Sequence, residues 1–118
     1  MAAYSSVQSI TPLGNAYTIV TNNTTANTVV VGGNGASVNN LFIENLDTTN
    51  DVFINWAFNG KSVTAVVPTV GSPQTGVTVQ NGSGRIIQIN TGTQFIANAN
   101  VAAISFSGTP QIVITNVA

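Results

Sequence analysis

Cysteine and histidine are both absent from this chain, and very few of its 118 residues are charged. The charged residues are Glu44, Asp47, Asp51, Lys61 and Arg85. Charged residues make up about 25% of a typical soluble domain, but they make up 4% here, with a net charge of −1. The lack of cysteine excludes disulfides and thiolate metal sites, and the lack of histidine excludes a Ser-His-Asp triad. We therefore expect no enzyme activity, no cofactor and no metal centre.

The shortage of positive charge also limits the classes of partner. Lys61 and Arg85 alone are too few to form a basic patch for nucleic acid or for an anionic membrane surface. Residues 1–10 contain neither the basic region nor the apolar region of a signal peptide. No apolar run approaches the ~20 residues that a transmembrane helix needs. The sequence therefore predicts a protein that is made in the cytoplasm, is not secreted, and has no nucleic-acid or membrane partner.

Uncharged polar residues stand where charged ones are usually found. The chain contains sixteen asparagines and sixteen threonines, and 43% of its residues are hydrophobic. Threonine favours strands and asparagine favours turns, and both hydrogen-bond to water without carrying a charge. A chain of this length buries roughly 65% of its unfolded surface as one domain. The composition is therefore that of a single folded domain with a polar but nearly uncharged surface.

Apolar and polar residues alternate with a period of two, which is the pattern of half-buried strands. The stripe of Val52, Ile54 and Trp56 is the clearest example, and it predicts that Trp56 belongs to the core rather than to a sugar-stacking site. No segment shows the apolar stripe of an amphipathic helix. The predicted strands are 15–21, 27–31, 38–45, 51–58, 61–67, 76–80, 85–90, 101–106 and 111–117.

Turn residues separate these strands. Asn59-Gly60 and Asn81-Gly82 each lie between apolar runs, which predicts two hairpins with type I′ turns. Residues 46–50 predict a third hairpin. Pro68 and Pro73 bracket a segment that is too rich in proline for a central strand, so we expect a loop there.

The pattern as a whole predicts an all-β fold. We expect a single two-sheet β-sandwich of about eight or nine short antiparallel strands, with the jelly roll as a candidate topology and a closed barrel as the less favoured alternative. Residues 1–13 carry only scattered apolar positions and are predicted to form a short N-terminal arm. Residues 14–118 are predicted to form the β-sandwich domain.

Few side chains are candidates for a functional site. Glu44, Asp47 and Asp51 lie on or beside one predicted hairpin, where they serve either as turn residues or as oxygen ligands for Ca²⁺. The spacing of a known calcium loop is missing, so the turn interpretation is preferred and no metal site is predicted. Arg85 begins a predicted strand, where it either pairs with an acidic group of a partner or lies exposed with its stem over apolar surface.

The downstream half resembles small virion proteins of tailed bacteriophages. The resemblance is carried by Val66-Val67-Pro68-Thr69-Val70-Gly71-Ser72-Pro73, Gly84-Arg85-Ile86-Ile87-Gln88-Ile89-Asn90-Thr91-Gly92, Phe95-Ile96-Ala97, Val101-Ala102-Ala103-Ile104-Ser105-Phe106-Ser107-Gly108 and Ile112-Val113-Ile114-Thr115. In that family a Val-Pro…Gly-Ser loop precedes a strand that begins with glycine, and a C-terminal Ile/Val/Thr strand follows. The resemblance extends over about residues 20–117 and lies in composition and rhythm.

The resemblance implies a capsid decoration, or cement, protein. Such a protein is a β-sandwich, commonly a homotrimer, that binds the outside of the capsid in the virion and bridges major capsid protein subunits. Tyr4, Val7 and Ile10 of the arm, together with Arg85, are then the expected interface with the capsid or with another copy of the chain. Two alternatives remain open: a receptor- or glycan-binding module of a tail fibre or tip, and a structural protein of the head–tail neck. For the arm, the alternative is a disordered tail without a partner.

Overall fold

A computed structural model describes residues 11–33, 35–90 and 94–117, and in these ranges the chain folds as the predicted all-β sandwich. Within the described ranges no helix is both long and apolar enough to cross a membrane. The eight strands are β1 (Tyr17–Val20), β2 (Asn27–Gly32), β3 (Asn40–Asn45), β4 (Val52–Phe58), β5 (Val77–Val79), β6 (Gly84–Gln88), β7 (Asn98–Ser105) and β8 (Gln111–Val117).

The strands form two four-stranded antiparallel sheets that pack face to face. Sheet I has the order β1-β8-β3-β6, and sheet II has the order β2-β7-β4-β5. The pairs β1–β8, β2–β7, β3–β6 and β4–β5 are those of one long antiparallel hairpin. The pairs β3–β8 and β4–β7 join these halves into two sheets. This winding is the strand order of a jelly roll, which was the candidate topology.

Two of the predicted hairpins are wrong. The loop at residues 46–50 and the turn at Asn81-Gly82 each cross from one sheet to the other, because β3 and β6 belong to sheet I while β4 and β5 belong to sheet II. Among the described residues other than glycine, Asn59 alone has a positive φ, so Asn81 lacks the backbone conformation of a type I′ turn. Turn residues show where the chain reverses, but burial of each strand's apolar face decides which sheet the strand joins.

The turn at Asn59-Gly60 is confirmed, but the strand predicted after it is wrong. Asn59 and Gly60 have φ of 53° and 83°, as a type I′ turn requires. Residues 61–67, here called the strap, do not pair with β4 and instead lie across the outer face of sheet II. The side-chain amide of Asn55 donates to the carbonyl oxygen of Thr64 at 3.1 Å, and that of Asn100 donates to the carbonyl oxygen of Lys61 at 2.6 Å.

The strap lies on the outer face of sheet II because β4 is already paired on both sides, with β5 and with β7, and because this outer face is apolar. Phe53 of β4 and Ile104 of β7 point outward on this face and are only 4% and 5% exposed. Ala65 of the strap packs on them, and Val63 and Val67 pack around it, which forms a small second core. Burial of this apolar surface stabilises the strap on the sheet.

The main core lies between the two sheets, where the predicted period of two is confirmed. Val52 and Ile54 are fully buried, and Trp56 and Phe58 are half-buried and pack against the same core. Trp56 therefore lies on the inward stripe, as predicted. The buried members of this core are Ile19, Val31, Val38, Leu41, Ile43, Val52, Ile54, Val79, Ile87, Ile96, Ala99, Val101, Ala103, Ile112 and Ile114.

Candidate functional site

Four loops meet at one end of the sandwich, here called the four-loop end: residues 21–26, 46–51, 80–83 and 106–110. Backbone hydrogen bonds join these loops to one another. The Phe106 N–H donates to the carbonyl oxygen of Asp51 at 3.0 Å, and the Gly82 N–H donates to that of Asp47 at 2.7 Å. The Thr21 N–H donates to the carbonyl oxygen of Pro110 at 2.9 Å. The four-loop end is therefore a bonded unit rather than a set of independent loops.

Most of the chain's charge lies at this end. Asp47 and Asp51 belong to its second loop, while Glu44 and Arg85 lie in the parts of β3 and β6 that lead into it. Lys61 lies at the opposite end, directly after the turn that follows β4. The rest of the surface consequently carries almost no charge.

The two aspartates hold the loops together. The Asp47 carboxylate accepts from the Thr49 N–H at 3.0 Å and from the Asn50 N–H at 2.7 Å. The Asp51 carboxylate accepts from the backbone N–H and from the side-chain amide of Asn81, both at 2.9 Å. The first of these contacts closes a turn within one loop, and the second ties two loops together. Asp47 therefore acts as a turn residue, and Asp51 links its loop to the loop at residues 80–83.

The hydrogen bonds at Asp47 also affect its ionisation. The backbone N–H of Thr49, followed by that of Asn50, favours the charged carboxylate and lowers the pKa of Asp47 below its ordinary value. Within the part of the chain that the structure describes, no three Asp, Glu, His or Cys side chains come close enough to hold a metal ion. One carboxylate oxygen of Asp47 and one of Asp51 accept the hydrogen bonds from loop donors.

Arg85 lies exposed at the open edge between the two sheets. Its guanidinium Nη1 donates to the carbonyl oxygen of Thr78 in β5 at 3.0 Å, so the side chain reaches from the edge of sheet I to the edge of sheet II. It borders a shallow depression of about 410 Å³ lined by Thr78, Gln80, Ser83, Gly84 and Arg85. A charged side chain at an edge prevents unwanted strand pairing, and the remaining N–H groups of the guanidinium are available to a partner.

The other three predicted interface residues, Tyr4, Val7 and Ile10, lie outside the described residues. Pro12, near the start of the described residues, forms a β-bridge with Val117 of β8. The Leu13 N–H donates to the carbonyl oxygen of Asn116 at 2.8 Å. The last residues of the predicted arm therefore pair with β8 beside β1.

Seven large apolar side chains are exposed among the described residues: Val20, Val30, Leu46, Val66, Val70, Phe95 and Phe106. Val20 and Leu46 flank Gln111 on the outer face of sheet I near the four-loop end, since Val20 pairs with Gln111 and the Leu46 N–H donates to the Gln111 carbonyl. Val30, Val66 and Val70 lie on sheet II and on the connection that covers it. The sequence pattern did not single out these residues, because exposure depends on what covers each side chain.

A groove of about 230 Å³ lies between the strap and the edge strand β2. Its lining contains no charged side chain and consists of Thr28, Val30, Ser62, Val63 and Asn100. β2 itself reads Asn-Thr-Val-Val-Val-Gly, without the charge or proline that commonly protects an edge strand. This groove and this edge therefore lack charges that would oppose contact with another protein.

Comparison with known proteins adds no family to these observations. No protein-family model, no curated protein and no solved structure matches this chain.

Proposed function

We propose that this chain is a non-enzymatic structural protein of a virus particle, a decoration protein that binds the outside of a bacteriophage capsid and bridges major capsid subunits. The distribution of charge is the observation that carries the proposal. Away from the four-loop end, Lys61 is the one charged residue in the sequence, while Val30, Val66 and Phe95 are exposed. Such a surface costs little to desolvate, because no ion has to leave water when it is covered.

A decoration protein of this kind needs contacts rather than chemistry. Binding to the assembled shell more tightly than to free subunits stabilises the shell by mass action. Docking as a homotrimer on a repeated lattice adds avidity, because the second and third contacts form at a high effective concentration. The bonded loops and the two packed sheets supply a rigid body for this task. Sandwich folds serve many functions, so the fold is compatible with the proposal and the surface is what supports it.

Cryo-electron microscopy of the phage particle tests the proposal directly. We expect density for the chain on the outside of the head at three-fold or quasi-three-fold positions, in constant ratio to the major capsid protein. Particles that lack the chain are expected to assemble but to release their DNA at a lower temperature, and added purified protein should restore the wild-type temperature. Density confined to the tail or neck would contradict the proposal and favour the receptor-binding or neck alternative.

A matched pair of variants tests the argument from charge. Val66→Asp places a carboxylate on the uncharged surface, and Thr48→Asp places the same group on an exposed residue of the four-loop end. We expect Val66→Asp to weaken binding to capsids that lack the protein by at least tenfold, and Thr48→Asp to leave it within twofold of wild type. Circular dichroism and thermal unfolding of both variants check that the fold is retained. Equal binding by the two variants would show that the uncharged surface does not face the capsid.

A further inference from the structure

Two exposed Asn-Gly pairs lie within the described residues, at 59–60 and at 81–82. Such a pair reacts with itself: the backbone nitrogen of the glycine bonds to Cγ of the asparagine and gives its proton to water, the Cγ–Nδ2 bond breaks, and ammonia leaves. One water molecule then opens the resulting ring and leaves aspartate or isoaspartate. Glycine favours the attack because it has no side chain to obstruct the approach. The hydrogen bonds around each pair therefore decide how readily it reacts.

At Asn81-Gly82 the reacting groups are already hydrogen-bonded. The Gly82 N–H, which carries the attacking nitrogen, donates to the carbonyl oxygen of Asp47 at 2.7 Å. The side-chain amide of Asn81, which would leave as ammonia, donates to the Asp51 carboxylate at 2.9 Å. The Asn81 backbone N–H donates to the same carboxylate oxygen at 2.9 Å. Attack requires these bonds to open first, so the free energy of local opening slows the reaction.

At Asn59-Gly60 the corresponding groups are free. No described residue accepts a hydrogen bond from the Gly60 N–H or from the side-chain Nδ2 of Asn59. The turn is held at its flanks instead: the Asn59 N–H donates to the carbonyl oxygen of Asn98 at 3.1 Å, and the Lys61 N–H donates to that of Phe58 at 3.2 Å. These bonds fix the turn but restrain neither the attacking nitrogen nor the leaving group.

One further contact activates Asn59. The backbone N–H of Ala97 donates to Oδ1 of Asn59 at 3.1 Å. This oxygen gains negative charge when the glycine nitrogen adds to Cγ, and a fixed backbone donor at such a distance stabilises that charge. Ala97 is itself held in place, because its carbonyl oxygen accepts from the Gly33 N–H at 3.0 Å. Oδ1 of Asn81 has no such donor in the described part of the chain.

We infer that Asn59-Gly60 is a self-modification site, at which the folded chain loses ammonia and acquires aspartate or isoaspartate at position 59, while Asn81 is protected by its bonds to the neighbouring loop. The modification adds one negative charge to a chain whose net charge is −1, at the end opposite the four-loop end. Isoaspartate also lengthens the backbone by one carbon in the turn that leads into the strap. The inference concerns the free protein and does not depend on the proposed attachment to a capsid.

Ageing of the wild-type protein tests the inference, with Asn81 as a control in the same molecule. The folded protein is incubated at mildly alkaline pH and digested with trypsin and with a protease that cleaves after glutamate. Residues 45–61 and 62–85 then carry the two sites on separate peptides, and tandem mass spectrometry locates each modified position. We expect Asn59 to convert at least tenfold faster than Asn81, a difference of about 1.4 kcal/mol in activation free energy. Equal rates at the two sites, or conversion at Asn81 alone, would overturn the inference.

Two further measurements separate the effect of the fold from that of the sequence. In guanidinium chloride the hydrogen bonds are lost, and we expect the two sites to convert at similar rates because glycine follows both asparagines. A tenfold difference that persists in the denatured chain would overturn the inference. Asp51→Ala removes the carboxylate that holds Asn81, so conversion at Asn81 should accelerate severalfold while conversion at Asn59 stays unchanged. Equal acceleration at both sites would indicate general opening and contradict the protection assigned to Asp51.

Discussion

Gly76→Ala is predicted to destabilise the fold strongly. Gly76 directly precedes β5 and ends the segment 68–76 that follows the strap. Gly76 has a φ of 147°, which strains any residue with a side chain. A Cβ atom added there would lie 2.3 Å from the carbonyl oxygen of Ile54 and 2.7 Å from two atoms of the Phe53 ring. The carbonyl belongs to the backbone of a central strand, so rotation of a side chain cannot relieve the overlap.

The expected cost follows from these two effects. Overpacking a core costs about 1–3 kcal/mol, and a strained φ adds about 1–2 kcal/mol. We therefore expect a loss of about 2–5 kcal/mol from a total stability of about 5–15 kcal/mol. For a domain of this size the loss corresponds to a decrease in Tm of roughly 8–20 °C.

Gly60→Ala is the matched control. Gly60 has a φ of 83°, and nothing lies within 4 Å of a Cβ atom added to it. It should therefore show the cost of backbone strain alone, about 1 kcal/mol. Urea unfolding followed by the fluorescence of Trp56, with a thermal melt of each variant, measures the difference. If Gly76→Ala is no less stable than Gly60→Ala, the close approach of Gly76 to β4 is wrong.

Three further predictions test the loops and the strap. The buried Asn45 amide donates to the backbone carbonyls of Asn50 and Val79 at 2.9 and 3.1 Å. Asn45→Ala should therefore lower the free energy of unfolding by about 2–3 kcal/mol, as measured by thermal unfolding. A loss below about 1 kcal/mol would contradict a structural role for these bonds. The lowered pKa of Asp47 means that its stabilising effect is complete above the ordinary carboxyl pKa and is lost as the pH falls through the lowered value. Wild-type Tm should accordingly fall more steeply than that of Asp47→Asn in acid, and parallel Tm curves would refute this. Asn100→Ala removes the 2.6 Å hydrogen bond to the carbonyl oxygen of Lys61. Tryptic cleavage after Lys61 should therefore accelerate, while cleavage after Arg85 in the same molecule should stay unchanged. Equal acceleration at both sites would indicate general unfolding and contradict the prediction.

The strands could be predicted because their signal is local. A side chain alternates between two faces wherever the chain is extended, and the stripe from Val52 to Phe58 shows this without knowledge of any partner strand. The strand predicted at 61–67 was wrong because Val63, Ala65 and Val67 pack on an apolar sheet surface. Phe53 of β4 and Ile104 of β7 form that surface, and the two are far apart in the sequence. Only the folded arrangement shows that this outer face needs cover.

The pairing of the strands and the exposed apolar side chains could be identified only from the tertiary structure. Asn-Gly at 59–60 closes a type I′ turn, while the same dipeptide at 81–82 links the two sheets. The difference arises from the sheets that the flanking strands join, and the dipeptide does not encode it. Similarly, Pro68 and Pro73 predicted a loop, but they did not reveal that the side chain of Val70 is fully exposed. Val70 stands out because neither the strap nor either sheet extends to cover it.

Composition and periodicity were sufficient to establish the chemical character of this protein: few charged residues, a strand pattern along the chain, and neither cysteine nor histidine. These properties are counts and local patterns, and folding does not alter them. The winding of the strands decided where the few charges lie. It gathers Glu44, Asp47, Asp51 and Arg85 at the four-loop end and leaves the groove beside Val30 without charge. That separation exists because antiparallel strands that cross between two sheets bring loops from distant parts of the chain to the same end.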